Sequence, residues 1–257
     1  MKINSISANF SVKSYGQNKL TPKKVTVPMP CDSVSFTGKN DNPKKVIILL
    51  GAPNSGKGTY ARQISENLGI PQISTGNILR KEVKDGTDLG LQAKSYMESG
   101  GLVPDELIMQ IFKKRISEKD CANGFVLDGF PRTLNQARQL DNILSEDKNT
   151  VTQIVNLDVE KSILYYRSAA RYTCEDCSRT YSIKENYNPE TAKCDCGGRL
   201  VKRADDTPEV LSKRLENYDK QTKPLIDYYG DRVSNITVQS KDTPAGEIID
   251  TIMDKIG

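Results

Sequence analysis

Apolar residues gather in short runs, separated by stretches where they recur every three or four positions. Val46–Leu50, Gln72–Ser74, Phe125–Leu127, Ile154–Leu157 and Ile236–Val238 predict strands. Gly58–Leu68, with Ala61, Ile64 and Leu68 at helical spacing, predicts a helix, as do Asp105–Ser117, Leu134–Leu144 and Val159–Ala170. Two later helices are predicted to open on Thr207-Pro208 and Thr243-Pro244, threonine capping free N–H groups and proline suiting the first helical position. Gly230, after Tyr228-Tyr229, is expected to close the first of them. Strands alternating with helices imply an α/β fold, a parallel sheet flanked by helices on both faces. No internal repeat is visible.

The pattern starts only at Lys44. Residues 1–43 are rich in Ser, Asn, Thr, Lys and Pro and show no sustained periodicity, which predicts a mostly disordered extension. The chain has 257 residues, enough for one sizeable α/β domain with insertions. Net charge is +4, but residues 1–45 hold eight lysines and two aspartates, +6 in all, leaving the rest near −2. A folded part with that balance carries no nucleic-acid footprint. No apolar run approaches the roughly 20 residues of a membrane span, and the first thirty residues lack the apolar core of a signal peptide. A cytoplasmic protein without membrane or nucleic-acid partners is expected. The tail is unlike a transit peptide, having no arginine.

The strand at Val46–Leu50 empties into Gly51-Ala52-Pro53-Asn54-Ser55-Gly56-Lys57-Gly58-Thr59, and a helix follows. Such a loop turns backbone N–H groups inward beside a helix N-terminus and cradles phosphate. Lys57 supplies a full charge for the outer phosphates. Phosphate loops of this kind want Ser or Thr directly after the lysine, to hold magnesium; here Gly58 stands there and Thr59 follows.

Two more blocks sit just beyond predicted strand ends, where open parallel sheets bind ligands. One is Ile73-Ser74-Thr75-Gly76-Asn77-Ile78-Leu79-Arg80; the other is Gly124-Phe125-Val126-Leu127-Asp128-Gly129-Phe130-Pro131-Arg132-Thr133, followed by Gln136. Asp128, ending a strand, can anchor the water shell of magnesium. Arg80 and Arg132 can each grip a phosphate with a forked guanidinium. Four of the six cysteines form two close pairs, Cys174-x2-Cys177 and Cys194-x-Cys196. That spacing suits tetrahedral zinc better than a secreted disulfide framework. The alternatives are a three-cysteine site completed by Asp195, or a disulfide without metal. Cys31 and Cys121 are isolated and expected to be free thiols.

From about residue 45 to 257 the chain resembles adenylate kinases of the long-lid, zinc-bearing bacterial type. The likeness rests on Gly-Lys-Gly-Thr, Ser-Thr-Gly-x-x-Leu-Arg, Leu-Val-Pro-Asp-Glu at 102–106 and Asp-Gly-Phe-Pro-Arg-Thr. It implies a P-loop nucleoside monophosphate kinase fold with a five-stranded parallel sheet, an AMP-binding insert at 74–103 and a zinc-binding lid at 168–205. It implies a monomer catalysing Mg-dependent transfer, ATP plus AMP giving two ADP. Pro53 to Thr59 would hold ATP, with Lys57 on its phosphates. Thr75, Gly76, Arg80, Val103, Gly129, Arg132 and Gln136 would hold AMP, Gln136 reading the adenine edge. Arg167 and Arg171, four apart and so placed on one helix face, would clamp ATP and the transferring phosphoryl group. Arg203 and Arg214 would complete the phosphate cage, and Asp128 and Asn77 would flank magnesium. Zinc on Cys174, Cys177, Cys194 and Cys196 would be structural, since four protein ligands leave no open position.

Phosphoryl transfer needs alignment and positive charge more than covalent chemistry. The chain has no histidine, which excludes histidine acid–base and phosphohistidine mechanisms. Several positions depart from the family pattern. Asn54 stands where glycine is usual, and Asn tolerates a positive φ best after Gly. Asn77 replaces an aspartate beside the magnesium shell, Tyr60 a common glutamine, and the second cysteine pair is one residue short. Residues 239–243, near the expected donor adenine, also differ. The alternative readings are a kinase with GTP as donor or another monophosphate as acceptor, and a weakly active nucleotide-binding module. Thr75 and the long lid argue against UMP/CMP kinases.

Overall fold

The computed structural model describes residues 44–182, 191–203 and 205–257. The extension predicted for 1–43, with Cys31, lies outside them. Five parallel strands form the main sheet: β1 Lys45–Gly51, β2 Gln72–Ser74, β3 Gly124–Asp128, β4 Gln153–Val159 and a strand Val233–Val238, called β8 by chain order, arranged β2-β3-β1-β4-β8. β1 is the middle strand, with Ile48 opposite both Leu127 and Ile154. Its alternate residues feed two cores. Val46, Ile48 and Leu50 join one with Phe112, Phe125 and Phe130; Ile47 and Leu49 join the other with Ile64, Leu157 and Ile252. Burial on both faces is why the strand reads as an unbroken apolar run. Each fully buried Leu, Ile or Phe stabilises by about 1.5–3 kcal/mol.

The helices covering the sheet are α1 Lys57–Leu68, α2 Thr75–Asp85, α3 Asp88–Glu98, α4 Asp105–Ile116, α5 Leu134–Glu146, α6 Lys161–Ala170, α7 Pro208–Asn217, α8 Pro224–Tyr229 and α9 Ala245–Ile256. Thr133 caps α5, accepting from the Gln136 N–H at 3.1 Å, and Thr207 caps α7, accepting from that of Val210 at 3.3 Å. Acids Asp105 and Glu106 begin α4 and bases Lys113 to Arg115 end it, matching the helix dipole.

Three expectations are corrected. The helix predicted from Val159 begins at Lys161, because Val159 still pairs with Val238 in the sheet. The Thr243-Pro244 cap does not form: α9 starts at Ala245 with no side-chain cap. Arg171 does not share a helix face with Arg167, since α6 ends at Ala170 and the backbone turns extended at Arg171, with φ −78° and ψ 133°. The helical run from Pro208 does reach Gly230, through a π turn at Tyr218–Thr222.

A second, three-stranded antiparallel sheet follows α6. It comprises β5 Arg171–Cys174, β6 Thr180–Ser182 and β7 Leu200–Val201, in the order β6-β5-β7.

Candidate active site

The glycine-rich loop leaves β1 at the centre of the main sheet and delivers Lys57 as the first residue of α1. Lys57 Nζ donates to the carbonyls of Gly51 and Ala52, at 2.6 and 2.7 Å, and to Ser55 Oγ at 3.3 Å. Burial pushes its pKa down to about 7; Asp128 opposes the shift, and Arg132, Arg214 and Arg171 add to it. Asn54 has the positive φ, 66°, that explains an asparagine in a glycine's place. Its amide donates to the Leu164 carbonyl in α6 at 3.4 Å, so the side chain is drawn onto that helix. Tyr60 is buried in the core beneath the loop.

Gly58 also has a physical reason. A Cβ there would lie 3.2 Å from Asp128 Oδ2, closer than such contacts usually come. The strand-end carboxylate thus occupies the space a serine or threonine side chain needs. Gln72 fixes the pair, its Nε2 donating to Asp128 Oδ2 and to the Gly58 carbonyl, each at 3.3 Å.

All six predicted arginines line one cleft of about 700 Å³ with Lys57 and Asp128. Arg167 donates to the Ser55 carbonyl at 2.9 Å, and Arg132 Nε to the Gly129 carbonyl at 2.7 Å. Arg203 reaches Thr173 and Thr180 of the small sheet, at 2.8 and 3.2 Å. Arg171 pairs with Asp206, and Arg214 with Asp205 at 2.9 Å. Arg80 donates to Asn77 Oδ1 at 2.6 Å, so the oxygen expected to face magnesium is held by the guanidinium. Burial is the main cause that lowers Arg132 to about 10 and Arg203 to about 9, with neighbouring arginines adding to it. Arginine keeps its proton even so. The shifts report mainly burial; it is the gathering of Lys57 and six arginines in one cleft that concentrates positive charge there, offset in part by Asp128 and Asp205. An anion with several charges fits such a site.

Thr75, Gly76, Val103, Gly129 and Gln136 line the same cleft as Arg80 and Arg132. Thr75 Oγ1 donates to the Gly129 carbonyl at 3.0 Å. Gln136 is buried; its Oε1 accepts from the Arg132 N–H at 2.8 Å, and its Nε2 donates to Asp105 at 2.6 Å. Sequence reasoning missed Gln72, Asp105, Asp205 and Asp206. Only the acidic pair beside Arg203 offered a local hint.

The four clustered thiols also converge, their sulfurs all within 4.8 Å of one another. Cys174 and Cys196 are 3.5 Å apart, Cys177 and Cys194 3.4 Å, and none is in a disulfide. Zinc–sulfur bonds of about 2.3 Å in a tetrahedron give sulfur–sulfur edges of about 3.8 Å, so the four residues fit a metal ion. Asp195 is no ligand here, since it pairs with Arg179. The short second knuckle closes through Gly197 and Gly198: the Cys194 N–H donates to the Gly198 carbonyl at 2.9 Å, and a Cβ at Gly198 would fall 2.6 Å from Cys174 Sγ. Tyr181 Oη lies 3.1 Å from Cys194 Sγ and is the leading cause drawing that thiol down to about 6. Cys121 is buried and free, as expected.

A phosphate loop with glycine behind its lysine, opening onto arginines at the ends of parallel strands, is the architecture of P-loop nucleoside monophosphate kinases. A family model described as adenylate kinase matches residues 49–234. The chain is 50% identical over 184 residues to the adenylate kinase of Clostridium tetani, covering 71% of this chain and 85% of that one. It is 42% identical over 212 residues to that of Clostridium perfringens (strain SM101), covering 82% and 98%, and 47% identical over 184 residues to that of Geobacillus sp., covering 71% and 85%. The chain belongs to the adenylate kinase family.

Proposed function

We propose that this cleft transfers a phosphoryl group reversibly from ATP to AMP, giving two ADP and balancing the adenine nucleotide pool. The observation that carries the reading is the convergence of Lys57 and six arginines in one cleft that the uncharged Thr75, Gly76, Val103, Gly129 and Gln136 also line. Lys57 and the loop from Pro53 to Thr59 take the donor's outer phosphates. Arg80 and Arg132 hold the acceptor phosphate. Thr75, Gly76, Val103, Gly129 and Gln136 enclose its nucleoside. Arg167, Arg171, Arg203 and Arg214 surround the transferring group and stabilise charge on its equatorial oxygens. The nucleophile is already a phosphate oxygen, so no general base is required.

Magnesium would arrive with ATP, and Asp128, with the neutral Asn77 as a weaker partner, would be the residues that help hold it. When bound it neutralises phosphate charge. Residues 74–103 form the acceptor flap and 168–205 the lid. Lid closure over the cleft is the established behaviour of adenylate kinases; it keeps water from the reacting phosphoryl group. Cys174, Cys177, Cys194 and Cys196 would hold zinc, which would stabilise the lid without joining the chemistry. A monomer suffices, since one chain supplies every cation of the cleft. Free thiols suit the reducing cytoplasm, and no described helix is long and apolar enough to cross a membrane.

The test is a coupled assay crossing ATP or GTP with AMP, UMP, CMP and GMP, with Lys57→Met as control. AMP is expected as the preferred acceptor, with ATP turned over. Absence of turnover with every pair would overturn the enzymatic reading. Metal analysis of the purified protein should return one zinc per chain; none would remove the structural metal.

A further inference from the structure

The helical run from Pro208 widens at one point. α7 ends at Asn217, a π turn covers Tyr218–Thr222, and α8 begins at Pro224. At this turn the Lys223 N–H donates to the Tyr218 carbonyl, five residues back, at 2.9 Å. In an α-helix, residues three and four apart share a face and residues five apart do not. A π turn brings residues five apart into line, and such turns are frequent at functional sites. Asn217 and Thr222 are five apart, and both line the cleft.

Each donates to a main-chain carbonyl in a segment assigned above to the acceptor. Asn217 Nδ2 reaches the Gly100 carbonyl and Thr222 Oγ1 the Arg132 carbonyl, both at 2.9 Å. The two bonds span 117 and 90 residues, so they tie the helical run to distant segments rather than shape the run itself. Gly100 lies near the end of the flap at 74–103 and presses on α7. Its φ is +72°, and a Cβ there would come 3.0 Å from the Val210 carbonyl oxygen and 3.1 Å from Arg214 Cγ. Glycine permits both that conformation and that approach. Arg132 is held at three points: its N–H by Gln136 Oε1, its Nε by the Gly129 carbonyl, and its own carbonyl by Thr222. Arg214, three residues before Asn217, shares its face of α7.

We propose that Asn217 and Thr222 are positioning residues for the acceptor: across the π turn they hold the end of the flap and the Arg132 backbone in register with Arg214. This rests on the phosphotransfer reading above, in which Arg132 takes the acceptor phosphate and Arg214 the transferring group. The attacking oxygen must meet that group in line, and a misplacement of about 1 Å costs on the order of 10²-fold in rate. Lys57 and Arg167, on the donor side, stand on α1 and α6 and take part in neither bond.

The experiment measures kcat and KM for AMP at saturating ATP, and KM for ATP at saturating AMP, in the wild type, Thr222→Val, Thr222→Ser and Asn217→Leu. Thr222→Val keeps the shape and removes the donor. It is expected to raise KM for AMP about fivefold, the size of one lost hydrogen bond, and to leave KM for ATP within about twofold. Asn217→Leu should act in the same sense. Thr222→Ser keeps the hydroxyl and should match the wild type within about twofold. A misfolded fraction lowers kcat and leaves both KM values as they were, so it does not imitate this result. KM for AMP within about twofold of wild type in either Thr222→Val or Asn217→Leu overturns the inference. An equal rise in both KM values does the same, as does a Thr222→Ser variant as impaired as Thr222→Val. A wild type inactive with ATP and AMP overturns the phosphotransfer reading, and this inference with it.

Discussion

Ile48 and Cys174 each occupy the middle strand of a sheet, and each is almost wholly shielded from solvent, yet different forces enclose them. Ile48 belongs to a continuous apolar core that runs from β1 to Phe112 and Leu140. The apolar cluster that holds Cys174 has, among the described residues, Ala192, Cys194 and Leu200 as its other buried members, with Tyr172 and Tyr181 partly buried at the side. Two of the four buried members of that cluster are thiols. The small sheet has little apolar core of its own, and a metal on the four clustered cysteines would take the place of the missing core. The difference is useful for catalysis. On the proposed reading, a lid held by one ion and little else would move as a unit over a cleft whose floor stays fixed.

Removing the metal puts the most strain on this comparison. Structural zinc contributes apparent free energies of about 10–16 kcal/mol in small zinc modules at neutral pH. Treating the protein with a chelator is expected to erase amide-exchange protection across 171–182 and 191–203 while β1 and β4 stay protected. Unchanged protection at β5 would show that the small sheet folds without metal. Next in size come two substitutions on the main sheet that should separate chemistry from stability. Lys57→Met is expected to lower kcat/KM about 10³-fold, as loss of one charge-stabilising donor does, with melting temperature equal or higher, because a buried charge is removed. Phe112→Ala, which breaks a stack on Phe130 at 4.4 Å, should cost about 3–5 kcal/mol of stability while the folded fraction stays active. If Lys57→Met proved as destabilising as Phe112→Ala, the lysine would be part of the scaffold rather than of the chemistry.

The same contrast governs what the sequence revealed. β1 was legible because both its faces are buried, so the run Val46–Leu50 has no polar break. Arg80, Arg132 and the loop were legible because strand ends fix where such residues point. Arg171 was misplaced, since four-residue spacing cannot show where a helix gives way to a strand. Separate helices α2 and α3 went unread, although Gly86 and the Thr87 cap mark their junction. Contacts between distant positions left no local trace: Gln72 on Asp128 spans 56 residues, and Arg171 on Asp206 spans 35. The second cysteine pair, one residue short in the sequence, closes through a tighter turn at Gly197 and Gly198.

A smaller effect comes from the Lys57 proton. In the unfolded chain this lysine titrates near 10.4; in the folded protein burial holds it at about 7. Its folded pKa lies below its unfolded one, so the cost of burying the charge is present in full below pH 7. That cost is relieved as pH rises toward the unfolded value, so this group makes stability rise across that window. Polyphosphate binding has the opposite slope, because a bound anion favours the protonated form. ATP affinity is therefore expected to fall by up to about tenfold per pH unit above 7, and Lys57→Met should lose most of that slope. Equal slopes in the two proteins, measured by calorimetry between pH 7 and 9, would assign the dependence to another group.

The smallest effect sharpens the cleft side of the comparison. Asn77 is neutral, and its Oδ1 accepts from Arg80 at 2.6 Å. A carboxylate there would act in two directions. In the cleft that Asp128 also lines it adds negative charge, and affinity for a hard divalent cation rises with ligand charge; Asn77→Asp should therefore lower the magnesium concentration for half-maximal activity, by about twofold to fivefold. Against Arg80 it converts a neutral hydrogen bond into a charge-assisted one, roughly twice as strong, so the guanidinium is released less readily to the acceptor phosphate. KM for AMP should accordingly rise, by about twofold to threefold. Magnesium titrations at fixed nucleotide and AMP titrations at saturating magnesium separate the two. An unchanged magnesium midpoint would show that position 77 does not reach the cation's shell. A magnesium shift with unchanged KM would show that Arg80 leaves Asn77 at no cost. Opposite movement of the two parameters would mean that the asparagine trades magnesium affinity for a freer arginine.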